Sequence, residues 1–426
     1  MTDLPLDRSY RALFGVPSLW RILLGGTIAR TVQSMVAIAL VLFTLDYYGS
    51  PALAGVVTFA SVFPGLLVSP IAGALLDRHG RARLIVLDYL VCAAAFALIA
   101  VLAIVGALPA WLLIAIATVS SMTGIFSHTG LRSMFPIIVP SHLWERVNAV
   151  DSNGYLVAIL VGPPVAGGLV QVLSGPAAIG IIACVYALGA LVMVGIPDPR
   201  PQIESTGRIL VDAWQGVLYT WRNPVLRALG FSISSINLTH GALTLLVPIL
   251  VIDRLGGSPL TVGLVFAIQG VAGIAAAFIV GRWRTTGRER DMIVRPMAAT
   301  AGCLLLLTVP LGLPAVLVCF ALIGFLNGPL DVAMFTLRQR RTDPAWMGRA
   351  FAVSMAFNFL GFPIGSAVGG LLVETSLELA IGFAIAAAGV AAVVSWAMIP
   401  RDQEPVAGGD EEPSAASVPS AEPSEA

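Results

Sequence analysis

The stretch GALLDRHGRARL, residues 73–84, concentrates charge between two long apolar runs. Glycine permits a tight turn and the close approach of a neighbouring helix, and an aspartate can accept hydrogen bonds from backbone N–H groups at a facing helix terminus. The segment is therefore either a breakable charged latch or a group of arginines that only sets membrane topology. The residues concerned are Gly73, Asp77, Arg78, Gly80, Arg81 and Arg83.

Composition identifies the class of protein. Hydrophobic residues make up 57% of the 426 residues and charged residues only 11%, against roughly 25% charged residues in soluble proteins. Apolar runs of about 20 residues, enough to cross a bilayer, recur along the whole chain. The predicted spans are 19–46, 52–76, 84–106, 109–137, 147–172, 175–197, 225–252, 260–281, 292–312, 314–337, 347–373 and 376–399. The predicted fold class is an all-α integral membrane protein with twelve transmembrane helices.

The basic residues indicate orientation. All 24 of them are arginines, and the chain has no lysine. If the N-terminus lies in the cytoplasm, most arginines fall on cytoplasmic segments, whereas the outer loops carry acids and Arg254. This distribution follows the positive-inside rule. We therefore expect a multi-pass protein of the cell (plasma or inner) membrane with both termini in the cytoplasm.

Two segments show an internal repeat. Aligning Arg146 with Arg349 places GPPVAGGLV (162–170) on GSAVGGLLV (365–373). Small residues at every fourth position let two membrane helices approach backbone to backbone. The sequence therefore predicts that spans 5 and 11 are equivalent helices in two pseudo-symmetric six-helix bundles. The expected packing residues are Gly162, Pro163, Gly167, Gly361, Gly365 and Gly369.

The repeat divides the chain. Within the linker between the bundles, an apolar stripe with charges on the other face predicts an amphipathic helix on the inner membrane surface; a docking site for a soluble partner is the other interpretation. The last segment is rich in Glu, Pro, Ser and Ala, so we expect it to be disordered. The predicted segments are a cytoplasmic N-terminus (1–18), an N-terminal bundle (19–197), a linker (198–224), a C-terminal bundle (225–399) and a cytoplasmic tail (400–426).

The opening stretch resembles the signature loop between helices 2 and 3 of the major facilitator superfamily, Gly-x-Leu-x-Asp-Arg-x-Gly-Arg. Ala82 departs from the signature where a basic residue is usual. The second-half stretch GRWRTTGRER (281–290) keeps two glycines and an arginine of the signature but lacks its aspartate. The matching positions of the first half are Gly73, Leu75, Asp77, Arg78, Gly80 and Arg81.

A second resemblance concerns span 5. Gly162 and Pro163, followed by Gly167 and Gly168, are similar to the Gly-Pro signature in helix 5 of the antiporters, with Ala166 replacing one glycine. The arginine-containing helix 4 signature of the drug–proton antiporters is absent from residues 109–130. The resemblance covers about residues 15–400 and is closest to efflux-type, drug or multidrug exporter-like members. It implies two bundles that rock about a central cavity lined by helices 1, 4, 7 and 10.

Several functions are excluded or disfavoured. A P-loop needs a lysine, and no extramembrane segment is long enough for a catalytic domain. The four histidines and four cysteines show no metal-ligand spacing. We therefore expect a transporter rather than an enzyme, with no cofactor, no metal and no nucleic-acid partner. The expected partners are a small-molecule substrate, protons and the lipid bilayer, and the protein is expected to be a monomer.

Polar residues at membrane depth are expensive and therefore functional candidates. Arg30 lies about 16 Å along the first span, at 1.5 Å per residue, and is either a cavity residue for an anionic group or half of a structural ion pair with another helix. Similar polar residues cluster on spans 1, 4, 7 and 10. The candidate cavity residues are Thr27, Arg30, Gln33, Ser34, His128, Asn237, His240, Asn327 and Asp331.

Two carboxylates are candidates for proton coupling. Asp331 shares a face of span 10 with Asn327, four residues away, and can exchange a proton as its access alternates. The alternative is a salt bridge with Arg338 at the inner end of the span. Asp88 is the second candidate, and the alternative for it is pairing at the inner surface near Arg83.

The expected activity is secondary active transport by alternating access. The interpretation that the residues and the resemblance favour is proton-coupled export of small apolar or amphipathic compounds. The alternative is an importer or uniporter of a small organic anion that uses Arg30.

Overall fold

The computed structural model describes residues 9–197, 209–280, 282, 287–343 and 346–400. Within these residues the chain is mostly helical and has no strand. Twelve helical segments of the described chain are long and apolar enough to cross a membrane, and each overlaps one predicted span. The predicted fold class is therefore confirmed.

The first half contains the first six spans. Span 2 is split into two helices, α3 and α4, and Pro64 lies in the first turn of the second, a position that proline tolerates because the N–H there has no helical partner. The helices are α1 (Tyr10–Phe14), α2 (Leu19–Tyr48), α3 (Pro51–Ala60), α4 (Phe63–His79), α5 (Arg81–Ile104), α6 (Ala110–Ile138), α7 (Trp144–Leu173) and α8 (Gly175–Met193).

The second half repeats this arrangement after a short helix, α9. Here span 11 is split, at Leu360, into α14 and α15. A five-residue π-helix, Leu250–Arg254, extends span 7 beyond α10. The helices are α9 (Ile209–Arg222), α10 (Pro224–Ile249), α11 (Pro259–Val280), α12 (Glu289–Leu304), α13 (Leu313–Arg340), α14 (Met347–Phe359), α15 (Gly361–Thr375) and α16 (Leu377–Met398).

Packing within the halves is equivalent. In the first half α2 packs against α7 and α8, and α5 packs against α8 and α6. In the second half α10 packs against α15 and α16, and α12 packs against α16 and α13. The two halves meet where α7 packs against α11 and where α3 packs against α15.

The linker helix α9 is attached to the second half. The side-chain amide of Asn223 donates to the Arg341 carbonyl at 2.8 Å, and the Asp343 N–H donates to the Tyr219 hydroxyl at 3.0 Å. Val211, Trp214 and Trp221 are exposed on one face of α9, as expected for a helix at a membrane surface.

The predicted domain limits stay predictions. Residues 1–8 and 198–208, which belong to the predicted N-terminus and linker, lie outside the described residues, and so do residues 401–426 of the predicted tail.

Candidate functional site

The two ends of the molecule differ in charge. We call the end that carries Arg78, Arg81 and Arg83, at the turn between α4 and α5, the arginine-rich side. The opposite end, where α3 begins at Pro51 and α11 begins at Pro259, is the far side.

The charged stretch of the opening motif forms the end of α4 and the start of α5. Gly80 alone separates the two helices, with φ of +96°, a conformation that glycine adopts without strain. Arg78 and Arg83 are exposed and Arg81 is half-buried. Gly73 and Asp77 lie in α4, and only their helical backbone belongs to the described part of the structure. The prediction of a tight turn at Gly80 is confirmed, whereas the latch stays a prediction.

The second-half loop has a comparable turn. Gly287 has φ of +77°, and α12 begins at Glu289. This acid is fully buried and forms an ion pair with Arg340 at the end of α13. The second half therefore places a carboxylate beside its loop, although the pair joins two helices of one bundle and does not bridge the bundles.

The bundles are interlocked on the far side where α3 crosses α15. A Cβ added to Gly55 would lie 2.6 Å from the carbonyl oxygen of Ser366, and one added to Gly370 would lie 2.5 Å from that of Pro51. Because each glycine has no side chain, the backbone of the other helix can pack directly against it. Among the described residues, contact between α4 and α14, the halves of the same spans on the arginine-rich side, is much less extensive.

A matching crossing joins α7 to α11. A Cβ added to Gly167 would meet the carbonyl of Pro259, and one added to Gly263 would meet that of Pro163. The helices α3 and α11 open with the same pattern, Ser-Pro-x-x-x-Gly, at residues 50–55 and 258–263. The far side is therefore closed by two crossings that the internal repeat relates.

The remaining predicted packing residues lie inside the bundles. Gly162 on α7 faces Ser34 on α2, because an added Cβ would lie 2.6 Å from the Ser34 Cβ. In the second bundle, Gly361 and Gly365 face the backbone of α10, and a Cβ on Gly369 would lie 2.7 Å from the Ala242 Cα. Spans 5 and 11 thus pack in the same way against spans 1 and 7.

Arg30 forms an ion pair across the first bundle. Its Nη2 lies 2.6 Å from Oδ1 of Asp151 on α7, and the two side chains are only 11% and 6% exposed. Arg30 Nη1 also donates to the Asp151 carbonyl at 3.2 Å. The structure therefore corresponds to the alternative of a pair with another helix.

The other polar residues of α2 contact neighbouring helices or their own. Thr27 donates to the Leu23 carbonyl at 2.9 Å, and Gln33 donates to the Ser127 hydroxyl on α6 at 3.3 Å. His128, the next residue on α6, is exposed. These positions bring Gln33 and His128 to adjoining parts of the first bundle.

Asp88 lies in the core of the first bundle and is 0% exposed. Its Oδ1 accepts from the Cys92 thiol at 3.3 Å, and its Oδ2 is buried with no hydrogen-bond partner among the described residues. Asp88 forms no ion pair with any described residue. The alternative of pairing at the inner surface near Arg83 is therefore wrong.

Asp331 has a different environment. It is exposed and makes no hydrogen bond or ion pair with a described residue. It lies on the face of α13 that holds Asn327 and the glycine packed on α11, Gly324. The exposed Leu322 lies about two and a half turns away, on the opposite face. Asp331 is therefore accessible although it lies on the face of α13 that packs on α11, and its place in a substrate cavity stays a prediction.

The predicted alternative of a salt bridge between Asp331 and Arg338 is wrong. Arg338 is fully buried, its Nη1 donates to the Met355 sulfur at 2.8 Å, and its guanidinium lies 5.6 Å from the Phe335 ring centroid. Arg338 thus joins α13 to α14, and the Asp331 carboxylate stays accessible.

The two candidates on α10 bind each other and α14. Asn237 donates to the Asn358 carbonyl at 2.9 Å, and its side-chain oxygen lies 3.4 Å from His240 Nδ1. The Nε2 of His240 is buried with no hydrogen-bond partner in the described chain. A neutral amide contact therefore joins spans 7 and 11, whereas the charged pair of Arg30 and Asp151 joins their counterparts, spans 1 and 5.

Asp151 and Asn358 are the polar residues that the sequence analysis missed. A buried arginine requires a counter-charge, and Asp151 is the carboxylate near the start of span 5, so this requirement could have identified it. No comparable signal marks Asn358. In the described chain, no group of three or more His, Cys, Asp or Glu side chains is placed to hold a metal ion.

Comparison with known proteins agrees with this architecture. The sequence profile of the Major Facilitator Superfamily matches residues 22–352 and 228–422. An uncharacterised MFS-type transporter, y4rN of Sinorhizobium fredii, is 36% identical over 402 residues, which are 94% of this chain and 99% of the relative. Macrolide efflux protein A of Streptococcus pyogenes is 22% identical over 363 residues, 82% of this chain and 88% of the relative.

Solved structures show the same fold. The crystal structure of a mutant form of the nucleoside transporter NupG superposes with a TM-score of 0.72 at 11% identity and covers 90% of this chain and 100% of NupG. The profile match, the relative at 36% identity and the shared fold lead to one conclusion: the chain belongs to the Major Facilitator Superfamily of transporters.

Proposed function

We propose that this transporter exports small apolar or amphipathic compounds from the cytoplasm in exchange for protons. The two bundles rock about a cavity near the membrane midplane, so that the cavity opens to one side at a time. The arginine-rich side and both termini lie in the cytoplasm, in accord with the positive-inside rule, and one chain is the functional unit.

The observation that carries this proposal is that Asp331 is accessible whereas the bundles are in close contact on the far side. Asp331 is accessible on the inward face of α13, whereas Gly55, Gly370 and their counterparts on α7 and α11 bring the bundles into backbone contact. This contrast supports a cavity that is closed outwards and open to the cytoplasm.

The accessible carboxylate supplies a means of coupling. In the state described here no cationic side chain of the described residues neutralises Asp331, so its proton can pass to cytoplasmic water. An ionised Asp331 then attracts a substrate with a positive or polar group. When the far side opens, a proton replaces the substrate and restores the neutral form. Each cycle thus moves one proton inwards and one substrate outwards.

The direction of transport is supported by a relative. Macrolide efflux protein A is an exporter by name, and the matched residues cover 82% of this chain and 88% of that relative. The alternative, import or uniport of an organic anion at Arg30, has less support because Asp151 already neutralises that guanidinium. An anionic substrate would have to displace Asp151.

The proposal is tested with purified protein in liposomes that carry a pH gradient. Erythromycin and the dye ethidium serve as probes, after a thermal-shift screen at two pH values has shown which of them binds. We expect the gradient to drive the bound probe across the membrane, and Asp331→Asn to abolish that flux while binding persists.

The matched control is Asp291→Asn. Asp291 is also a carboxylate of the second bundle, but it is exposed at the start of α12 and pairs with Arg295 at 2.7 Å. The Asp291→Asn variant should transport the probe at the wild-type rate. Unchanged proton-driven flux in Asp331→Asn would remove Asp331 from the mechanism, and flux indifferent to the pH gradient in the wild type would refute proton coupling.

A further inference from the structure

The break in span 2 divides this span between the two bundles. Among the described residues, α3 packs more extensively on α15 of the second bundle than on any helix of its own bundle, whereas α4 packs mainly on α6 of its own bundle. The helix α3 is 10 residues long, which is about 15 Å at 1.5 Å per residue. The break therefore lies about halfway through a hydrocarbon core of roughly 30 Å.

Two successive helical hydrogen bonds are missing at this break. In a continuous α-helix each N–H donates to the carbonyl four residues earlier. Pro64 has no N–H to donate to the Ala60 carbonyl. The N–H of Gly65 donates to the side-chain hydroxyl of Ser121 on α6, at 2.9 Å, instead of to the Ser61 carbonyl. A proline and an inserted side chain are both recognised causes of a helix kink.

The internal repeat provides a comparison with an unbroken helix. The counterpart of span 2 is span 8, since both open with Ser-Pro-x-x-x-Gly, and α11 (Pro259–Val280) is one continuous helix of 22 residues. Alignment of residues 50–55 with 258–263 places Pro64 on Ala272. Alanine has the N–H that proline lacks, so the continuous helix carries the residue that a continuous helix needs.

The serine is also specific to the first half. A Cβ added to Gly65 would meet the backbone carbonyl of Ser121, and one added to Gly273, its counterpart, would lie 3.2 Å from that of Gly324. Thus α4 approaches α6 as α11 approaches α13, but a glycine stands where the first half has Ser121. The two halves therefore differ in the two groups that interrupt span 2, the proline ring and the serine hydroxyl.

The break in span 11 does not divide a span between the bundles. Both of its helices, α14 and α15, pack on α10 of their own bundle. The first turns of α15 are fixed there, because Gly361 and Gly365 lie directly against the α10 backbone.

We propose that span 2 bends at a hinge formed by Pro64, Gly65 and Ser121 when the far side opens, so that α3 swings away from α15 while α4 stays on α6. Ser121 is a positioning residue. Its hydroxyl holds the Gly65 N–H, and hence the first turn of α4, against α6 without a hydrogen bond from that turn to α3. A buried N–H left without a partner would be costly.

The other far-side crossing separates differently. It joins α7 to α11, and both are continuous helices, so it opens only when the bundles rock. Opening of the far side thus combines rocking at one crossing with bending of span 2 at the other. This movement rests on the alternating access of the proposed function, but it requires neither proton coupling nor a particular direction of transport.

The experiment removes the hinge by giving span 2 the chemistry of span 8. In Pro64→Ala with Ser121→Ala, the straightened variant, residue 64 regains an N–H for the Ala60 carbonyl and the Gly65 N–H can donate to the Ser61 carbonyl. In liposomes the maximal flux of the bound probe should fall to a small fraction of the wild-type rate, because the opening step is slowed. The half-saturating concentration and the melting temperature should not change for the worse.

The matched control is Ser120→Ala. Ser120 is the neighbouring serine of α6, but its hydroxyl donates to the Ile116 carbonyl of its own helix at 3.0 Å. This variant should transport at the wild-type rate. Wild-type maximal flux in the straightened variant would overturn the hinge. A joint fall in its melting temperature, affinity and flux would also overturn it, since the two residues would then only maintain the fold.

A labelling measurement follows the opening itself. In a background with the four native cysteines replaced, Asn327→Cys is combined with Gly370→Ala, which presses α3 away from α15. A membrane-impermeant maleimide applied from the far side should label this thiol when the hinge is intact and much more slowly in the straightened variant. Labelling from the arginine-rich side should be the same in both, and equal labelling from the far side would refute the hinge.

The two proposals fail in distinguishable ways. If a pH gradient drives no flux in the wild type but far-side labelling depends on the hinge, proton-coupled export is refuted and the hinge stands. If proton-driven flux is equal in the wild type and the straightened variant, export stands and the hinge is refuted. Labelling from the arginine-rich side alone, with the hinge intact, would refute alternating access and the hinge together.

Discussion

Arg30 on α2 and Asp151 on α7 form an ion pair of 2.6 Å in which both side chains are almost entirely buried. The pair lies in one bundle, whereas the equivalent helices of the other bundle, α10 and α14, meet through a neutral contact between Asn237 and the Asn358 carbonyl. The internal repeat thus preserves the packing of the helices but not the charge between them. A buried pair contributes little net stability, although the loss of one partner is costly because the other charge stays buried.

A double-mutant cycle measures this asymmetry. Asp151→Leu should lower the free energy of unfolding by about 3–5 kcal/mol, since it leaves the Arg30 guanidinium buried without a counter-charge. Arg30→Met should have a similar effect, because it leaves the Asp151 carboxylate buried alone. The double variant Arg30→Met with Asp151→Leu should be closer to the wild type than either single variant. Thermal unfolding in detergent provides the comparison.

The control for this cycle is the exposed pair of Arg254 and Glu378, whose side chains are 51% and 69% exposed. Glu378→Ala should change stability by about 1 kcal/mol or less. Additive losses from the two buried substitutions would show that Arg30 and Asp151 do not depend on each other.

Much of the fold can be predicted from the sequence because membrane insertion depends on local composition. A run of apolar residues forms a span wherever it occurs, and the predicted first span, 19–46, differs from α2 only at its end. The turn at Gly80 can also be predicted from local sequence, because a glycine between two charged helix ends favours a turn. The far-side crossings could be anticipated in part, because Gly167 belongs to a recognisable small-residue pattern.

The polar partners could not be predicted, because they depend on which helices become neighbours. Asp331 and Arg338 lie on one side of α13, and seven-residue spacing makes a salt bridge plausible. In the folded protein Arg338 is instead buried against Met355 of α14. Asp88 lies near Arg83 along the chain, yet the rotation of α5 directs it into the core. In both cases tertiary packing determines the partner of the side chain, and the local sequence carries no signal for that packing.

Substitutions at the far-side crossings should open that side. Gly370→Ala adds a Cβ that would lie 2.5 Å from the Pro51 carbonyl oxygen and 3.0 Å from the Gly55 Cα, so α3 and α15 must separate. Gly263→Ala should have the same effect at the other crossing, because its Cβ would lie 2.8 Å from the Pro164 Cα. Hydrogen exchange of the far-side ends of α3 and α11 should increase in both variants.

The matched control is Gly389→Ala on α16, where an added Cβ meets nothing within 4 Å. Exchange at α3 and α11 should stay at the wild-type level in this variant. If Gly370→Ala behaves as Gly389→Ala does, the crossing is not what keeps the far side closed.

The turn between α4 and α5 should not accept a side chain. Gly80 has φ of +96° and ψ of +132°, and a residue held in such a sparsely populated conformation costs about 1–3 kcal/mol. Gly80→Ala should therefore lower the melting temperature and reduce transport. Gly302→Ala, where the added Cβ meets only open space, should leave the melting temperature unchanged or raise it slightly because alanine favours a helix. Equal melting temperatures for the two variants would mean that the turn relaxes without cost.

Access to the cavity can be mapped on the two faces of α13. In a background with the four native cysteines replaced, Asn327→Cys places a thiol on the face of Asp331, and Leu322→Cys places one on the opposite, exposed apolar face. A membrane-impermeant maleimide reacts with a thiolate in water, so it should label Asn327→Cys from the arginine-rich side and leave Leu322→Cys, which faces lipid, unreacted. A bound transport substrate should slow the labelling of Asn327→Cys. Gly370→Ala, by opening the far side, should make Asn327→Cys reactive from the opposite face of the membrane. Labelling from the arginine-rich side alone, both with and without Gly370→Ala, would show that the cavity does not alternate.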